Sequence, residues 1–497
     1  MRFVPTIGLE VHTQLNTKTK LFCADKNDSD EVIANRNICP ICLGHPGTLP
    51  VLNAQAVKKT IRAGLALGCK INQFSKFDRK NYFYPDLPKG YQISQYDIPF
   101  CVVGTFLLSN GKVIRIRRIH LEEDTGRLIH EGADSLVDFN RAGVPLIELV
   151  TEPDFTSSSD VLEFAKELQL LWRYLKISEA DMEKGQMRVE ANISLAQQPT
   201  ANSQQPTLGT KVEVKNLNSF KAVKDAVAFE IKRQEEVLAQ GGKIIQETRG
   251  WDPVKKRTFP QRKKETEQDY RYFPEPDLPP VVISDDDLRE IRASIPELPF
   301  QRRERFMREY ALPLNDAKVL VEEQELGEYF EQVASELTRW EQDVERTDVT
   351  KEHLPRLVKL SANYLITELP KISELLKKTA RDILATITPE NFAELMVISH
   401  KGGISSSVTQ EVLIAMAKGQ GDPHNIIDQK GLWQVSETSQ LEKIAKEVIA
   451  ENPKAIEDYC KGNTGAIQFL VGKAMAKSKG KANPQVMQTI LQELLSR

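Results

Sequence analysis

Up to about residue 285 the chain is built of short runs in which apolar and polar side chains alternate, separated by turn residues. Alternate residues of a strand share a face, so such a run predicts a half-buried strand. Phe3 to Leu15 is one, with Ile7, Leu9 and Val11 on one side and Glu10 and His12 on the other. Phe106 to Ile119 predicts a hairpin, two alternating runs joined by Ser109-Asn110-Gly111-Lys112, with Asn-Gly suited to positive φ. Gln186 to Leu195 and Lys211 to Val214 alternate likewise. Helices interrupt these strands. One starts at a Ser157-Ser158-Ser159 cap and carries Leu162, Ala165, Leu168, Trp172 and Leu175 at helical spacing. Another runs from about Ser219 to Gln240 and stops at Gly241-Gly242. The Gln/Ser/Pro-rich stretch Ala196 to Gly209 between them reads as a loop.

After Pro279-Pro280 the pattern turns to amphipathic helices, among them Asp287–Ile295, Gln301–Tyr310, Asp316–Leu337, Pro355–Thr367 and Thr409–Ala417. A softer break falls at His400-Lys401-Gly402-Gly403. The expected fold is therefore α+β: a sheet-rich domain over 1–289, a helical connector over 290–399, and a small all-α tail over 400–497.

At 497 residues the chain is long enough for two or three cores. A net charge of −3 argues against wholesale polyanion binding, so any RNA contact must come from a local basic patch. No stretch approaches the roughly 20 apolar residues of a membrane helix. The N-terminus shows neither a charged leader nor a cleavage site, which reads as cytoplasmic, although a processed organellar form would look the same.

Several constellations carry chemistry. Glu10 and His12 share one strand face, where a carboxylate and an imidazole can share a metal ion or pass a proton; a solvated polar edge is the plainer alternative. His120-Leu121-Glu122-Glu123-Asp124 is bracketed by Asp138-Phe139-Asn140-Arg141-Ala142-Gly143-Val144-Pro145-Leu146-Ile147-Glu148 and Glu152, an oxygen-rich set of the kind that suits Mg²⁺. Phe77 to Gln92 packs Arg79, Lys80 and Lys89 among tyrosines and prolines, cations for phosphate and rings for stacking. Cys23 with Cys39-Pro40-Ile41-Cys42 supplies three thiols of a zinc knuckle. Asp25, Asp28 and His45 are the local candidates for a fourth ligand, and buried free thiols or a redox pair are the alternatives. Near the C-terminus, Lys473, Lys477, Lys479 and Lys481 follow Gly472 with no acid between them, suited to phosphate contacts or simply to a solvated loop. There is no P-loop and no dinucleotide glycine fingerprint.

The wording and order of these segments are more specific than any one of them. Ile7-Gly8-Leu9-Glu10-Val11-His12, the Leu21-Phe22-Cys23 and Cys39 to Gly47 blocks, and Lys76 to Asp86 resemble the B subunits of aspartyl/glutamyl-tRNA(Asn/Gln) amidotransferases. So do His120 to Asp124, Asn140 to Glu148, Lys215-Asn216-Leu217-Asn218-Ser219-Phe220 and Tyr270 to Asp277. The resemblance covers essentially the whole chain, and its last hundred residues look like the YqeY-type tail of that family.

The resemblance implies a subunit that uses ATP and Mg²⁺ to phosphorylate the side-chain carboxylate of Glu-tRNA(Gln) or Asp-tRNA(Asn). It implies a heterotrimer with an amidase subunit (A), which supplies ammonia, and a small subunit (C). Glu10 and His12 would ligate Mg²⁺, completed by Glu148 and by one or more of Glu122, Glu123 and Asp124. Because adjacent strand residues face opposite ways, Glu122 and Glu123 cannot both point inward. Arg79, Lys80 and Lys89 would neutralise phosphate or line the ammonia route, and the tail lysines would hold tRNA. Two positions depart from the family pattern. Asp25 stands where zinc-binding members carry a second Cys, and Val189-Glu190 stands where a Cys-Asp pair is common, with Glu190 keeping the charge on a longer arm.

Overall fold

The computed structural model describes residues 3–28, 30–197, 209–263, 270–343, 349–434, 438–460, 465–478, 482 and 484–495. The chain divides into two compact units, Met1–Leu298 and Pro299–Arg497. The first unit holds the strands β1 (Phe3–Gln14), β2 (Lys70–Ile71), β3 (Phe74–Ser75), β4 (Asp78–Asn81), β5 (Tyr91–Ser94), β6 (Cys101–Leu107), β7 (Val113–Glu123) and β8 (Arg127–Glu131). These are followed by β9 (Asp134–Asp138), β10 (Pro145–Thr151), β11 (Met187–Gln197), β12 (Val212–Leu217), β13 (Glu247–Asp252), β14 (Arg257–Lys263), β15 (Phe273–Pro274) and β16 (Val281–Val282). Its helices are α1 (Ala54–Ala66), α2 (Ser158–Tyr174), α3 (Phe220–Ala239) and α4 (Asp285–Ala293).

Nine strands form one sheet in the order β14-β13-β12-β11-β1-β10-β7-β6-β2, with β1 at its centre. The alternation read in β1 decides which face is covered. Ile7, Leu9 and Val11 are buried in a core shared with Ile147 and Leu149 of β10, Val189 and Ile193 of β11, and Phe164 and Trp172 of α2. Burying an aliphatic side chain of this size contributes about 1.5–3 kcal/mol, so slipping β1 by one residue would expose the whole set and is strongly disfavoured. The opposite face of the same strands carries the polar residues.

The hairpin forms as β6 and β7, its turn closed by the Leu108 N–H donating to the Lys112 carbonyl at 2.9 Å and by Gly111 at φ +82°. Ser157 caps α2, accepting from the Asp160 N–H at 3.1 Å, and Ser219 caps α3 in the same way. α3 ends before Gly241, at φ +73°. The loop expected from Ala196 begins later, since β11 continues to Gln197; residues 198–208 lie outside those described.

The elements of the second unit, among its described residues, are all helices. The single helix expected over Asp316–Leu337 is two, Leu314–Glu322 and Gln324–Gln342, broken at Glu323 with extended ψ of 98°. The break folds the second helix back, and Gly327 makes it possible: a Cβ there would lie 2.4 Å from the Leu320 carbonyl oxygen. Helices Thr438–Glu451, Gly465–Lys477 and Pro484–Leu495 enclose a separate small core that includes Leu441, Leu470 and Met487. No helix among the described residues is long and apolar enough to cross a membrane.

Candidate functional site

Register, which local pattern does not reveal, assembles the site. In the antiparallel ladders His12 of β1 lies opposite Glu148 of β10, and Glu148 lies opposite His120 of β7. Directly opposed residues share a face, so three elements far apart in sequence deliver one row. His12 Nε2 is 3.3 Å from Glu148 Oε2 and 3.8 Å from Glu122 Oε1. His120 Nε2 is 3.4 Å from a carboxylate oxygen of each acid. Ser94 donates to Glu122 at 2.9 Å and fixes its rotamer.

On the other flank Glu10 faces Glu190 of β11. The carboxylates of Glu10, Glu190 and Glu213 of β12 form a second acidic set. Asn192 donates to Glu10 at 2.8 Å, and Lys215 reaches Glu190 at 2.8 Å. Both sets line one cleft of about 800 Å³, which also takes in Lys80, Arg118, Arg188, Tyr82, Tyr270 and Tyr272.

Crowded acids and bases displace one another's protonation. Burial alone would strip the proton from His12, but its bond to Glu148 and the charges of Glu148, Glu190 and Glu122 raise it to about 9. Burial likewise opposes ionisation of Glu148, yet His120, His12 and Lys80 hold it well below the ordinary carboxylate range. Glu10 goes the other way, pushed up by burial and then by Glu148, Glu190 and Glu213. Burial disfavours the Lys80 ammonium, but Glu122, Tyr272 and Glu148 keep it firmly charged. Groups shifted in opposite directions within one cleft are concentrated at functional sites, although structural ion-pair networks shift them too.

His12, Glu122 and Glu148 bring ligand atoms within 4.8 Å of one another. Two carboxylates and an imidazole on a rigid sheet fit a divalent cation. Nδ1 of His12 and of His120 are buried without partners, so each ring is tied to its neighbours through Nε2 alone. The set fits the implied Mg²⁺.

The other expected residues are placed as follows. Glu123 points to the far face of β7, bound by Lys89 Nζ at 2.5 Å and by the Ile93 N–H at 2.9 Å. Asp124 is held by Arg188 at 3.0 Å, Arg141 at 3.7 Å and Gln14 at 2.8 Å, apart from the His12 set. Arg79 forms a two-pronged bond to buried Glu275 at 2.7 and 2.8 Å, while its neighbour Lys80 enters the cleft. Lys473 lies over the Phe469 ring at 5.4 Å, and Lys477 pairs with Glu447 at 2.9 Å and Glu451 at 2.7 Å. Lys479 and Lys481 fall outside the described residues. Sequence reasoning did not single out Arg118, Arg188 or Glu213, and it named Lys215 only within a family string and without a role; alternation in β7, β11 and β12 was the signal available for them.

In the knuckle Cys23, Cys39, Cys42 and Asp25 bring their ligand atoms within 4.8 Å, and Asp25 Oδ2 lies 3.3 Å from Cys42 Sγ. Asp28 instead pairs with Lys26. The buried Lys20 ammonium sits 3.7 Å from Cys42 Sγ. A bond from Cys23, opposed by burial and helped by Lys20, lowers the Cys42 thiol to about 6. Gly44, at φ +68°, ends the knuckle where a Cβ would meet Lys89 Cγ at 2.4 Å. The donor set of three sulfurs and one oxygen fits zinc.

Comparison with known proteins bears on the whole chain. Residues 5–289 match the model of the GatB/GatE catalytic domain, and residues 359–495 match that of the GatB domain. The chain is 45% identical, over the full length of both, to the B subunit of the aspartyl/glutamyl-tRNA(Asn/Gln) amidotransferase of Thermoanaerobacter pseudethanolicus. It is 44% identical to the protein of the same description from Thermotoga maritima and 45% to that from Thermomicrobium roseum, with 100% of this chain and 99% of each relative covered.

Proposed function

This chain belongs to the family of aspartyl/glutamyl-tRNA(Asn/Gln) amidotransferase B subunits, and from that premise we propose that its cleft phosphorylates the side-chain carboxylate of tRNA-bound glutamate or aspartate with ATP. Ammonia from a partner amidase then displaces phosphate and leaves the amide. The reaction is an ATP-dependent carbon–nitrogen ligation with glutamine as donor, carried out by a heterotrimer with an amidase (A) and a small (C) subunit. The chemical need is plain: hydroxide leaves a carboxylate poorly, phosphate leaves readily, and two anions must be brought together and neutralised.

His12, Glu122 and Glu148 would hold Mg²⁺, with Glu10 and Glu190 on the adjoining flank; bound there, it would offset phosphate charge. Lys80 supplies a fixed positive charge beside those acids. Arg118, whose Nε is buried without a partner, offers an unused donor to an anion. Glu123 and Lys89, on the opposite side of β7, lie apart from the phosphoryl chemistry and suit the ammonia route. Asp124 serves to hold Arg188. The knuckle would carry structural zinc. On this reading a catalytic domain (1–289) is followed by a helical connector over about 290–399 and a tail (400–497) that grips tRNA with Lys473, Lys477, Lys479 and Lys481; the first family model ends at 289, and the second begins at 359, inside that connector.

The observation that carries this reading is the His12–Glu122–Glu148 set on one wall of a cleft that also holds Lys80. The test is to reconstitute the chain with an amidase and a small subunit, Glu-tRNA(Gln) or Asp-tRNA(Asn), and labelled ATP. Glu148→Gln should cut tRNA-dependent ATP cleavage by about a hundredfold or more while leaving glutamine hydrolysis intact. Normal amidation by that variant would instead favour a scaffold that only binds tRNA.

A further inference from the structure

One feature of the cleft is left unused by the metal and phosphate chemistry: its aromatic wall. Tyr96 and Tyr272 stack with ring centroids 4.3 Å apart and planes 12° from parallel, and Tyr96 is 40% exposed. Tyr82 and Tyr270 pack edge to face at 6.0 Å around the Lys80 ammonium, which lies 5.0 Å from the Tyr270 ring. The wall is therefore continuous with Lys80, whose charge faces Glu122 and Glu148.

The backbone is bent to build it. Arg271 sits at φ +43°, a left-handed conformation that is strained for any residue with a Cβ. Tyr270 and Tyr272 flank that turn, and both line the cleft. Asn81 holds it from the neighbouring strand β4, its Nδ2 donating to the Tyr270 carbonyl at 3.2 Å and to the Arg271 carbonyl at 2.9 Å. Tyr96 is pinned through its N–H to Asp78 at 3.0 Å. A strained turn braced by a dedicated side chain, presenting a stacked and exposed ring at a cation-lined cleft, suits a flat π system attached to an anion. That description fits a nucleotide base.

We propose that Tyr96 and Tyr272 form a stacking wall for an adenine ring, and that Asn81 is the positioning residue that holds the wall in place. The proposal deepens the reading above, on which two adenines approach this cleft: that of ATP and that of the 3′-terminal adenosine of tRNA. Both present the same ring chemistry.

The experiment uses 2-aminopurine, whose fluorescence is quenched by stacking. One arm titrates 2-aminopurine riboside triphosphate with Mg²⁺ into the full-length protein; the other titrates a cytidyl-cytidyl-2-aminopurine trinucleotide. Quenching in the first arm assigns the wall to ATP, and in the second to the tRNA end; either supports the proposal. Tyr272→Ala and Tyr96→Ala should weaken the quenching arm roughly 5- to 150-fold, as about 1–3 kcal/mol per stacked base implies, whereas Tyr272→Phe should retain it. Asn81→Ala should lower quenching with both rings intact. Should ATP cleavage prove independent of Glu148 while quenching still requires the tyrosines, the phosphorylation reading fails and the wall stands. Quenching in neither arm, or quenching unchanged in Tyr96→Ala, an exposed position where misfolding is no explanation, overturns it.

Discussion

His12 and Glu148 face each other across the β1–β10 ladder, Nε2 to Oε2 at 3.3 Å, although 136 positions separate them in the chain. If the two hold one cation together, their substitutions must not add. His12→Gln and Glu148→Gln should each weaken Mn²⁺ binding to the full-length protein by at least about tenfold, and the double variant should lose little more than the worse single. Electron paramagnetic resonance titration measures this. Losses that multiply would mean the pair does not share an ion.

Asp124 is a stability residue by its contacts, and its pH signature follows. Burial disfavours its charge, but Arg188 and Arg141 hold the carboxyl well below the ordinary range. A depressed folded-state pKa contributes stability that is full above the unfolded value, about 3.9, and is lost as pH falls through the folded one. Asp124→Asn should therefore cost about 3 kcal/mol near neutral pH, since it leaves Arg188 without its counter-charge. The gap between parent and variant should stay constant down to about pH 4 and narrow below it. Denaturant unfolding across that range decides; a gap widening toward acid would refute the assignment.

The knuckle makes a metal prediction of its own. Asp25 stands 3.3 Å from Cys42 Sγ and completes a four-ligand set. Asp25→Ala should weaken zinc binding at least about tenfold, and Asp25→Cys should strengthen it, because thiolate is the softer donor. Competition with a chromogenic chelator measures both. Equal affinities in parent and Asp25→Ala would show that Asp25 is no ligand.

How much of this was legible depends on the range of the interaction that fixes each residue. Glu10 and His12 sharing a face is a property of one strand, and the sequence carried it. That Glu122 rather than Glu123 joins His12 is also an alternation, but which parity faces the cleft depends on the β7–β10 register, set by the core packing of Ile119, Leu121 and Ile147. Arg79 and Lys80 divide in the same way: the motif named both, and the partner strand β15, bringing Glu275, took the arginine away from the cleft. Asp124 was read as a candidate ligand because its neighbours are acids, yet Arg188 meets it from a strand more than sixty residues on. Glu213 and Lys215 lie in a short alternating run, and nothing local shows that it pairs with β11. The split at Glu323 escaped notice for the same reason, since the helical period continues across it and only the packing of Gly327 on Leu320 reveals the fold-back.

The tail offers a prediction in which two kinds of lysine should part. Lys477 lies between Glu447 and Glu451, so much of its charge is already answered within the protein. Lys473 carries no such acid among the described residues and rests on Phe469. Phosphate binding releases counterions in proportion to the cations engaged, and each contact adds roughly one to the slope of log affinity against log salt. Lys473→Ala, and the paired Lys479→Ala/Lys481→Ala variant, should each raise the KM for tRNA and flatten that slope, with glutamine hydrolysis unaffected. Lys477→Ala should change the slope least of the tail lysines, because its charge is already shared with Glu447 and Glu451. Filter binding of tRNA at several salt concentrations measures all three. Identical slopes for the parent and for every variant would place the tRNA contact elsewhere in the protein.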